Sequence, residues 1–404
     1  MKTVAIIAEY NPFHTGHEYQ IKEIRHEFGA DTRIIAVMSG NYTQRGELAV
    51  MDKSERAKAA TLCGVNLVLE LPFPYSMSSA EFFASSAVKI IDSLNVVDHL
   101  SFGSESGDVF MLSEIAENIS SDEYKSALKL ALASSEDKGV GYPKLSEEIY
   151  RSLYGKDIPR DVFSPNNILA IEYIKAIKRS KSNIIPHTVK RSGAAYSEKN
   201  ITEDQHQSAS AIRELFNKDI SSALKYIPNN AKNIVLDAYN NKSFPCDDNR
   251  LSSAVISYFR LNPKSAAAIH DAGDGLYNRL QKYSFDANDI TTLINLTDTK
   301  KYTRSRIRRA IWYSFFGVTS SEVKELPCYT TVLAMDNVGK AILKEIKKKT
   351  DLAVITKPSS TDGLSDTARR QKALSDKADS VFQLTKPAPP SGAYALRTTP
   401  YIVK

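Results

Sequence analysis

The sequence predicts an α/β protein: a doubly wound parallel sheet, followed by a helical region and a small C-terminal α/β unit. Three observations carry this expectation. Apolar, β-branched-rich runs alternate with stretches of helical spacing through the first hundred residues, the pattern of βαβ units whose sheet is covered on both faces. From about Ser208 to Phe316 the spacing is largely helical, with breaks at Pro228, Pro245 and Pro263. After Pro327 a strand, helix, strand order returns. At 404 residues the chain is long enough for two or three domains. The expected units are 1–215, 216–320 and 321–404.

Taken in order, strands are expected at Val4–Ile7, Ile34–Val37, Leu67–Leu71 and Val96–Phe102, with helices at Tyr19–Phe28, Lys53–Cys63 and Ala80–Leu94 between them. Residues 108–180 are mostly helical in pattern, interrupted at Gly139–Pro143 and Pro159–Asp161, and Asn183–His187 reads as a strand closing the sheet. The C-terminal unit comprises a strand at Thr330–Met335, a helix at Val338–Lys349, a strand at Leu352–Thr356 and a helix near Ser365–Leu374.

Composition narrows the class. Hydrophobic residues make up 42% and charged residues 25%, close to soluble averages, and no apolar run approaches the ~20 residues of a membrane span. Lys2 and Thr3 precede only five apolar residues, short of the ~7–15 of a signal-peptide core, so a cytoplasmic protein is expected. Cys63, Cys246 and Cys328 are too scattered for a disulfide framework or zinc spacing and are expected as free thiols. The charge is uneven: residues 300–404 carry 20 Lys and Arg against nine Asp and Glu, a net +11, which leaves −5 for residues 1–299. A polyanion touching the C-terminal part is the partner such asymmetry suggests, with nucleic acid first.

The chemistry starts at AEYNPFHTGHEYQ, directly after the first strand. In a parallel sheet, ligands bind beyond the carboxyl ends of strands, where helix N-termini offer unpaired N–H groups and partial positive charge. Phosphate suits such a place. Gly16 lets backbone approach it, and His14 and His17, three apart at the first turn, bring imidazole donors. The motif is H-x-G-H, neither a Walker loop nor a dinucleotide fingerprint. The plainer reading makes the two histidines a helix cap and a surface residue. SASAIR at Ser208–Arg213 again places hydroxyls at a helix start with an Arg one turn in. An ordinary cap and a solvated Arg is the alternative there.

HTGH after the first strand, with S-x-S-x-I-R near residue 210, resembles the two signatures of the HIGH-type nucleotidyltransferases, which have a Rossmann-like domain and direct attack onto the α-phosphate of a nucleoside triphosphate. The wider wording adds EYNPFHTGH, MSGNYTQRGE (Met38–Glu47), ELP (Glu70–Pro72), FGSESGD (Phe102–Asp108), SPNNILAIEYIKA (Ser164–Ala176) and YTRSRIRRAIW (Tyr302–Trp312). Together these resemble the bacterial tRNA(Met) cytidine acetate ligase family along essentially the whole chain. The resemblance implies ATP and acetate as substrates, an acetyl-adenylate intermediate, and transfer of acetyl to N4 of the wobble cytidine of elongator tRNA(Met), with Mg²⁺ as counterion of the triphosphate and no dedicated metal cage.

On that resemblance, His14 and His17 are catalytic, and Ile7, Ala8, Glu9, Tyr10, Asn11, Pro12, Phe13, Thr15, Gly16 and Gln20 line ATP with them. Gly103 and Glu105 are expected at ribose or base, Asn167 as an exposed amide, Arg191 at a phosphate or acetate, and Ser208, Ser210 and Arg213 at the triphosphate. A turn glycine, a helix cap and a surface salt bridge are the alternatives for Gly103, Asn167 and Arg191. Gln44, Arg45 and Gly46 stand on a loop expected to close over acetate or cytidine. For RNA, the expected contacts are Lys301, Arg304, Arg306, Arg308 and Arg309, with Trp312 and Tyr313 stacking an unpaired base. A second cluster, Lys340 to Lys349, reads equally as a solvated helix face. Two other functions share parts of this pattern: a small-molecule nucleotidyltransferase, and a nucleotide-sensing RNA-binding protein without turnover.

Overall fold

Both faces of the first strands are apolar, and the fold uses both. A computed structural model describes residues 1–135, 142–155, 159, 162–191, 207–263 and 268–403. The break expected at Gly139–Pro143 falls largely outside these residues, as does most of that at Pro159–Asp161.

The N-terminal elements are β1 (Thr3–Ala8), α1 (Thr15–Phe28), β2 (Arg33–Ser39), α2 (Lys53–Leu62), β3 (Leu67–Leu71), α3 (Ala80–Ser93) and β4 (His99–Ser104). Helices α4 (Val109–Ser120), α5 (Asp122–Ser135), α6 (Tyr142–Tyr154) and α7 (Pro165–Arg179) precede β5 (Ile185–Lys190). The middle of the chain is helical: α8 (Ala209–Lys218), α9 (Ile220–Ala223), α10 (Asn229–Asn240), α11 (Ser252–Leu261), α12 (Leu276–Ser284), α13 (Ile290–Thr297), α14 (Arg304–Phe316) and α15 (Ser320–Lys324). The chain ends with β6 (Tyr329–Met335), α16 (Asn337–Lys349), β7 (Ala353–Ile355), α17 (Asp366–Phe382), α18 (Tyr394–Arg397) and β8 (Tyr401–Ile402).

The sheet runs β5-β4-β1-β2-β3-β6-β7, with β8 beside β6. Among the described strands only the β3–β6 pairing is antiparallel. Alternate residues part to opposite faces. Ala5, Ile7, Ile35, Val37, Leu67 and Leu69 join a core with α3, α4 and α7. Val4, Ile6, Ile34, Ala36 and Val68 join another with α1, α2, α8 and α10. Helices α11 to α14 form a third core around Trp312, which also takes in Tyr42, Phe73 and Phe382.

The C-terminal segment has the expected strand, helix, strand order but no sheet of its own. Its β6 pairs with β3 in the first sheet, Leu67 opposite Met335 and Val68 opposite Ala334. Every residue of β6 is buried, so its side chains need cover on both faces, and the open edge beside β3 supplies it. Asn66 stitches this junction. Its Oδ1 accepts from Ile34 N at 2.8 Å, its Nδ2 donates to Asp336 at 2.8 Å, and its carbonyl accepts from Asp336 N at 3.0 Å. Helix α16 lies so close that a Cβ on Gly339 would stand 1.9 Å from the Asn66 carbonyl oxygen.

One buried side chain fixes the upper edge of the sheet. Arg56 of α2 is fully buried. Its guanidinium donates to Met51 O at 2.8 Å, Glu9 O at 2.5 Å, Ser39 O at 3.2 Å and Gly40 O at 2.6 Å. Burial pushes it down to about 10, so it remains charged at neutral pH. Replacing it by Met leaves four acceptors without this donor, at about 1–3 kcal/mol each where no water reaches. Arg56→Met is therefore expected to lower the unfolding free energy by at least about 3 kcal/mol, measured by urea denaturation.

Candidate active site

Chain between β1 and α1 turns sharply, with Tyr10 in the left-handed region at φ 47°. His14 is the N-cap of α1. Its Nδ1 accepts from Gly16 N at 3.0 Å, and its own N–H donates to His17 Nδ1 at 3.2 Å, a reciprocal capping arrangement. With both Nδ1 atoms accepting, each ring carries its proton on Nε2. The rings lie 3.9 Å apart. Tyr10 packs edge-on against His17 at 4.8 Å, with Phe13 beside it at 5.5 Å. The two sequence readings of His14 thus coincide: it caps the helix and also lines a cleft.

That cleft, about 220 Å³, opens over the carboxyl ends of β1, β4 and β5, at the point between β1 and β4 where the strand order reverses. Three helices present N-termini to it: α1 through Gly16, α7 through Pro165 and Asn166, and α8 through Ser208 and Ala209. Their dipoles favour an anion there. Lys190 and Arg191 add positive charge at the end of β5. Burial, with the Arg191 charge as a smaller contribution, holds His17 down at about 3, so its imidazole is neutral. Glu9 lines the same cleft, and burial raises its carboxyl, partly opposed by the Gln44 N–H that donates to it at 2.8 Å.

Of the residues expected around ATP, Ile7, Ala8, Glu9, Tyr10, Asn11, His14, Gly16, His17, Gln20, Gly103, Arg191 and Ser208 line this cleft. So do Gln44 and Arg45 of the predicted loop. Pro12, Phe13, Thr15, Glu105, Asn167, Ser210 and Arg213 are not among the lining residues, and several have other tasks. Asn167 is fully buried rather than exposed. Its Oδ1 accepts from Glu105 N and Ser106 N at 3.0 and 3.3 Å, while Glu105 accepts from Asn167 N at 2.9 Å and from Asn166 Nδ2 at 2.6 Å. This lock holds the β4 loop over the start of α7. Ser208 caps α8, accepting from Ala211 N at 3.2 Å. Arg213 turns away to Asn11 O at 2.9 Å and Glu47 at 2.7 Å, with Ser210 Oγ at 3.3 Å.

Sequence reasoning missed Phe83, Leu169, Tyr173 and Gln207, which also line the cleft. The three apolar ones lie on core-facing helix positions and carry no signal that separates them from packing residues. Gln207 and Lys190 directly adjoin Ser208 and Arg191, and proximity to those motifs was the available clue.

The basic helix α14 does something other than expected. Arg308 pairs with Glu47 at 2.9 Å and Arg309, 7% exposed, with Asp271 at 2.6 Å. Arg306 pairs with Asp274 at 2.7 Å and Arg304 with Asp298 at 3.0 Å. Trp312 and Tyr313 are buried, so neither is available to stack a base. Carboxylates brought from elsewhere in the chain neutralise this face. Instead α14 grips the loop whose Gln44 and Arg45 reach the cleft: Trp312 Nε1 donates to Gly46 O at 3.2 Å, and Glu47 bridges Arg308 and Arg213.

Residues 1–394 match the family model of the HIGH nucleotidyl transferases. The chain belongs to that family. It is 39% identical over 381 residues to the tRNA(Met) cytidine acetate ligase of Thermoanaerobacter sp. (strain X514), covering 93% of each chain. It is 40% identical over 363 residues to that of Caldanaerobacter subterraneus subsp. tengcongensis, covering 88% of this chain and 89% of the other. The crystal structure of Thermotoga maritima TmcAL bound with alpha-thio ATP superposes with a TM-score of 0.89 at 30% identity, over 100% of this chain and 99% of that one. Its apo form gives 0.91.

Two outcomes follow. An unfolded-chain His titrates near ~6.5, so the stability associated with neutral His17 is fully present above that pH and is lost as pH falls through it toward about 3. NMR titration of the free protein is expected to show the His17 ring in its neutral form from about pH 5 to 8. Gly46 has φ +75°, and a Cβ there would sit 2.7 Å from Arg308 Cβ and Arg309 N. Gly46→Ala is therefore expected to displace the loop and lower the kcat of the cleft's reaction by roughly tenfold or more, with the overall circular dichroism spectrum retained.

Proposed function

We propose that this protein is an ATP-dependent tRNA(Met) cytidine acetate ligase. The observation that carries the reading is the convergence of three helix N-termini and two Nε2-protonated histidines on one cleft. Full-length similarity to ligases of that name and to an ATP-analogue complex supports it.

In this account the triphosphate lies across the N-terminus of α1, with His14 and His17 donating Nε2–H to phosphate oxygens. An acetate oxygen attacks the α-phosphorus, the bond to the β-phosphate oxygen breaks, and pyrophosphate leaves. The charge that builds on the equatorial oxygens is met by fixed donors in a shielded site, where each is worth more than in water. A neutral His17 suits this role because it stays a donor without exchanging a proton with solvent as pH varies. The mixed anhydride keeps an activated carbonyl. N4 of cytidine attacks that carbonyl, AMP departs, and the amine loses a proton. Gln44 and Arg45 stand where the loop after β2 meets the cleft, on the side suited to acetate or the base. Phe83 and Tyr173 offer an apolar wall for a methyl group, although one methylene is worth only about 1–3 kcal/mol of selectivity.

A magnesium ion would accompany the triphosphate. Among the described residues no group of three or more His, Cys, Asp or Glu is placed to hold a metal, so the ion's ligands would come from phosphate and water. Among the described residues no helix is long and apolar enough to cross a membrane.

The test is incubation with ATP, Mg²⁺, acetate and unmodified bacterial tRNA, followed by digestion to nucleosides and mass detection of N4-acetylcytidine. The product is expected only when ATP and acetate are both present, and His17→Ala is expected to reduce it by about 10²-fold or more with the fold intact. A folded, ATP-binding protein that makes none would shift the reading to a small-molecule nucleotidyltransferase.

A further inference from the structure

The neutralisation of α14 leaves a question that the charge distribution alone does not answer: where a polyanion would rest. An open groove of about 520 Å³ lies between α12 and the segment leading into α14, lined by Asn278, Arg279, Lys282, Thr299, Lys301 and Tyr302. Among the described residues no acidic side chain lines it. Its cations differ from those of α14 in their partners. Arg279 donates to the C-terminal carbonyls of α13, Thr297 O at 2.8 Å and Leu296 O at 3.2 Å. Lys301 donates to Asp274 O at 3.3 Å. Arg279 and Lys282 flank the Tyr283 ring at 4.7 and 5.5 Å. Among the described residues none of the three forms an ion pair, whereas Arg304, Arg306, Arg308 and Arg309 all do. The Asp274 carboxylate, which Arg306 and Lys301 both hold down, lies near Lys301, so the cations without a nearby carboxylate partner on this wall are Arg279 and Lys282.

Its place in the fold connects it with the cleft. Tyr302 and Lys301 immediately precede α14, and Arg308 lies only about 6 Å further along the helix axis from Arg304 at ~1.5 Å per residue. Arg308 holds Glu47, and Glu47 belongs to the loop whose Gln44 and Arg45 line the cleft. The groove is thus linked to the cleft through α14 and the Glu47 loop.

We infer that the groove between α12 and the start of α14 is a docking surface for the RNA phosphodiester backbone. This rests on the tRNA ligase reading and locates where that substrate is held. The groove is too large for a single phosphate and is open at the surface. Arg279 and Lys282, which form no ion pair among the described residues, and Lys301 beside them, together with amide and hydroxyl groups at Asn278 and Thr299, suit repeated phosphate and 2′-hydroxyl contacts. Phosphate contacts fix register without reading sequence, so the groove would position the tRNA while base selection occurs at the cleft.

The experiment measures binding of unmodified elongator tRNA(Met) to the full chain across a salt series for wild type, Lys282→Glu with Lys301→Glu, and Lys282→Arg. ATP affinity serves as the control that the cleft is intact. Where two phosphate contacts are lost, the slope of log K against log salt is expected to fall by about 1.5, and affinity roughly tenfold or more at moderate salt. Lys282→Arg is expected to match wild type. Wild-type affinity and slope in the doubly reversed variant, with wild type still forming N4-acetylcytidine, would overturn the docking surface while leaving the ligase reading intact. A wild-type protein that neither binds nor acetylates tRNA would remove both.

Discussion

The guanidinium of Arg56 is the constraint on which the site depends. Loops leave the carboxyl ends of β1 and β2 in adjacent positions, and each turn exposes carbonyls that no strand partner satisfies. One buried cation takes four of them, from Glu9, Ser39, Gly40 and Met51. Fixing Glu9 O sets the direction in which chain enters the Asn11–His14 turn, and so the placement of the two imidazoles. Fixing Ser39 and Gly40 sets the start of the loop that carries Gln44 and Arg45. A charged group buried here is costly unless its donors find acceptors, and four of its five N–H groups do so here, which joins two loops into one cleft wall.

A second tier of polar contacts ties this wall to distant parts of the chain. Glu47 accepts from Arg213 of α8 and Arg308 of α14, while Arg213 also donates to Asn11 O. Below it, Asn41 and Lys53 both reach Asp379 of α17, and Lys53 also pairs with Glu70 at 2.6 Å. Asp52, the cap of α2, pairs with Lys386 at 3.0 Å and is held down at about 2, the coulombic pull of Lys386 and its hydrogen bonds outweighing burial. The C-terminal third of the molecule is thus built into the support of an N-terminal site.

Much of this was legible in the sequence. Strands β1, β2 and β3 and helices α1 and α2 lie close to their expected bounds, because alternation between apolar runs and helical spacing is a local signal. The cleft was legible through His14, Gly16, His17, Ser208 and Arg191, since a motif after a strand of a parallel sheet must lie at its ligand edge. Pairings were not legible. Nothing within Tyr329–Met335 says that it will add to β3 antiparallel, and an apparent C-terminal unit became part of the first sheet. Nor does the run of arginines in α14 reveal its counter-charges, one of which, Glu47, comes from the other end of the chain. Charge read along a sequence counts cations; only the fold shows which of them keep a net field. Asn167 makes the same point for polarity, because a helix-start amide looks available until the loop it holds is in place.

In the proposed reaction the cleft joins acetate to the α-phosphorus. The most direct measurement uses acetate labelled with ¹⁸O in both oxygens, with ATP and unmodified tRNA, followed by mass analysis of the nucleotide and phosphate products. Attack on the α-phosphorus places one labelled oxygen in AMP and none in pyrophosphate, and that is the result this account requires. Label in inorganic phosphate with ADP as the nucleotide product, or AMP without label while acetylation proceeds, would contradict it.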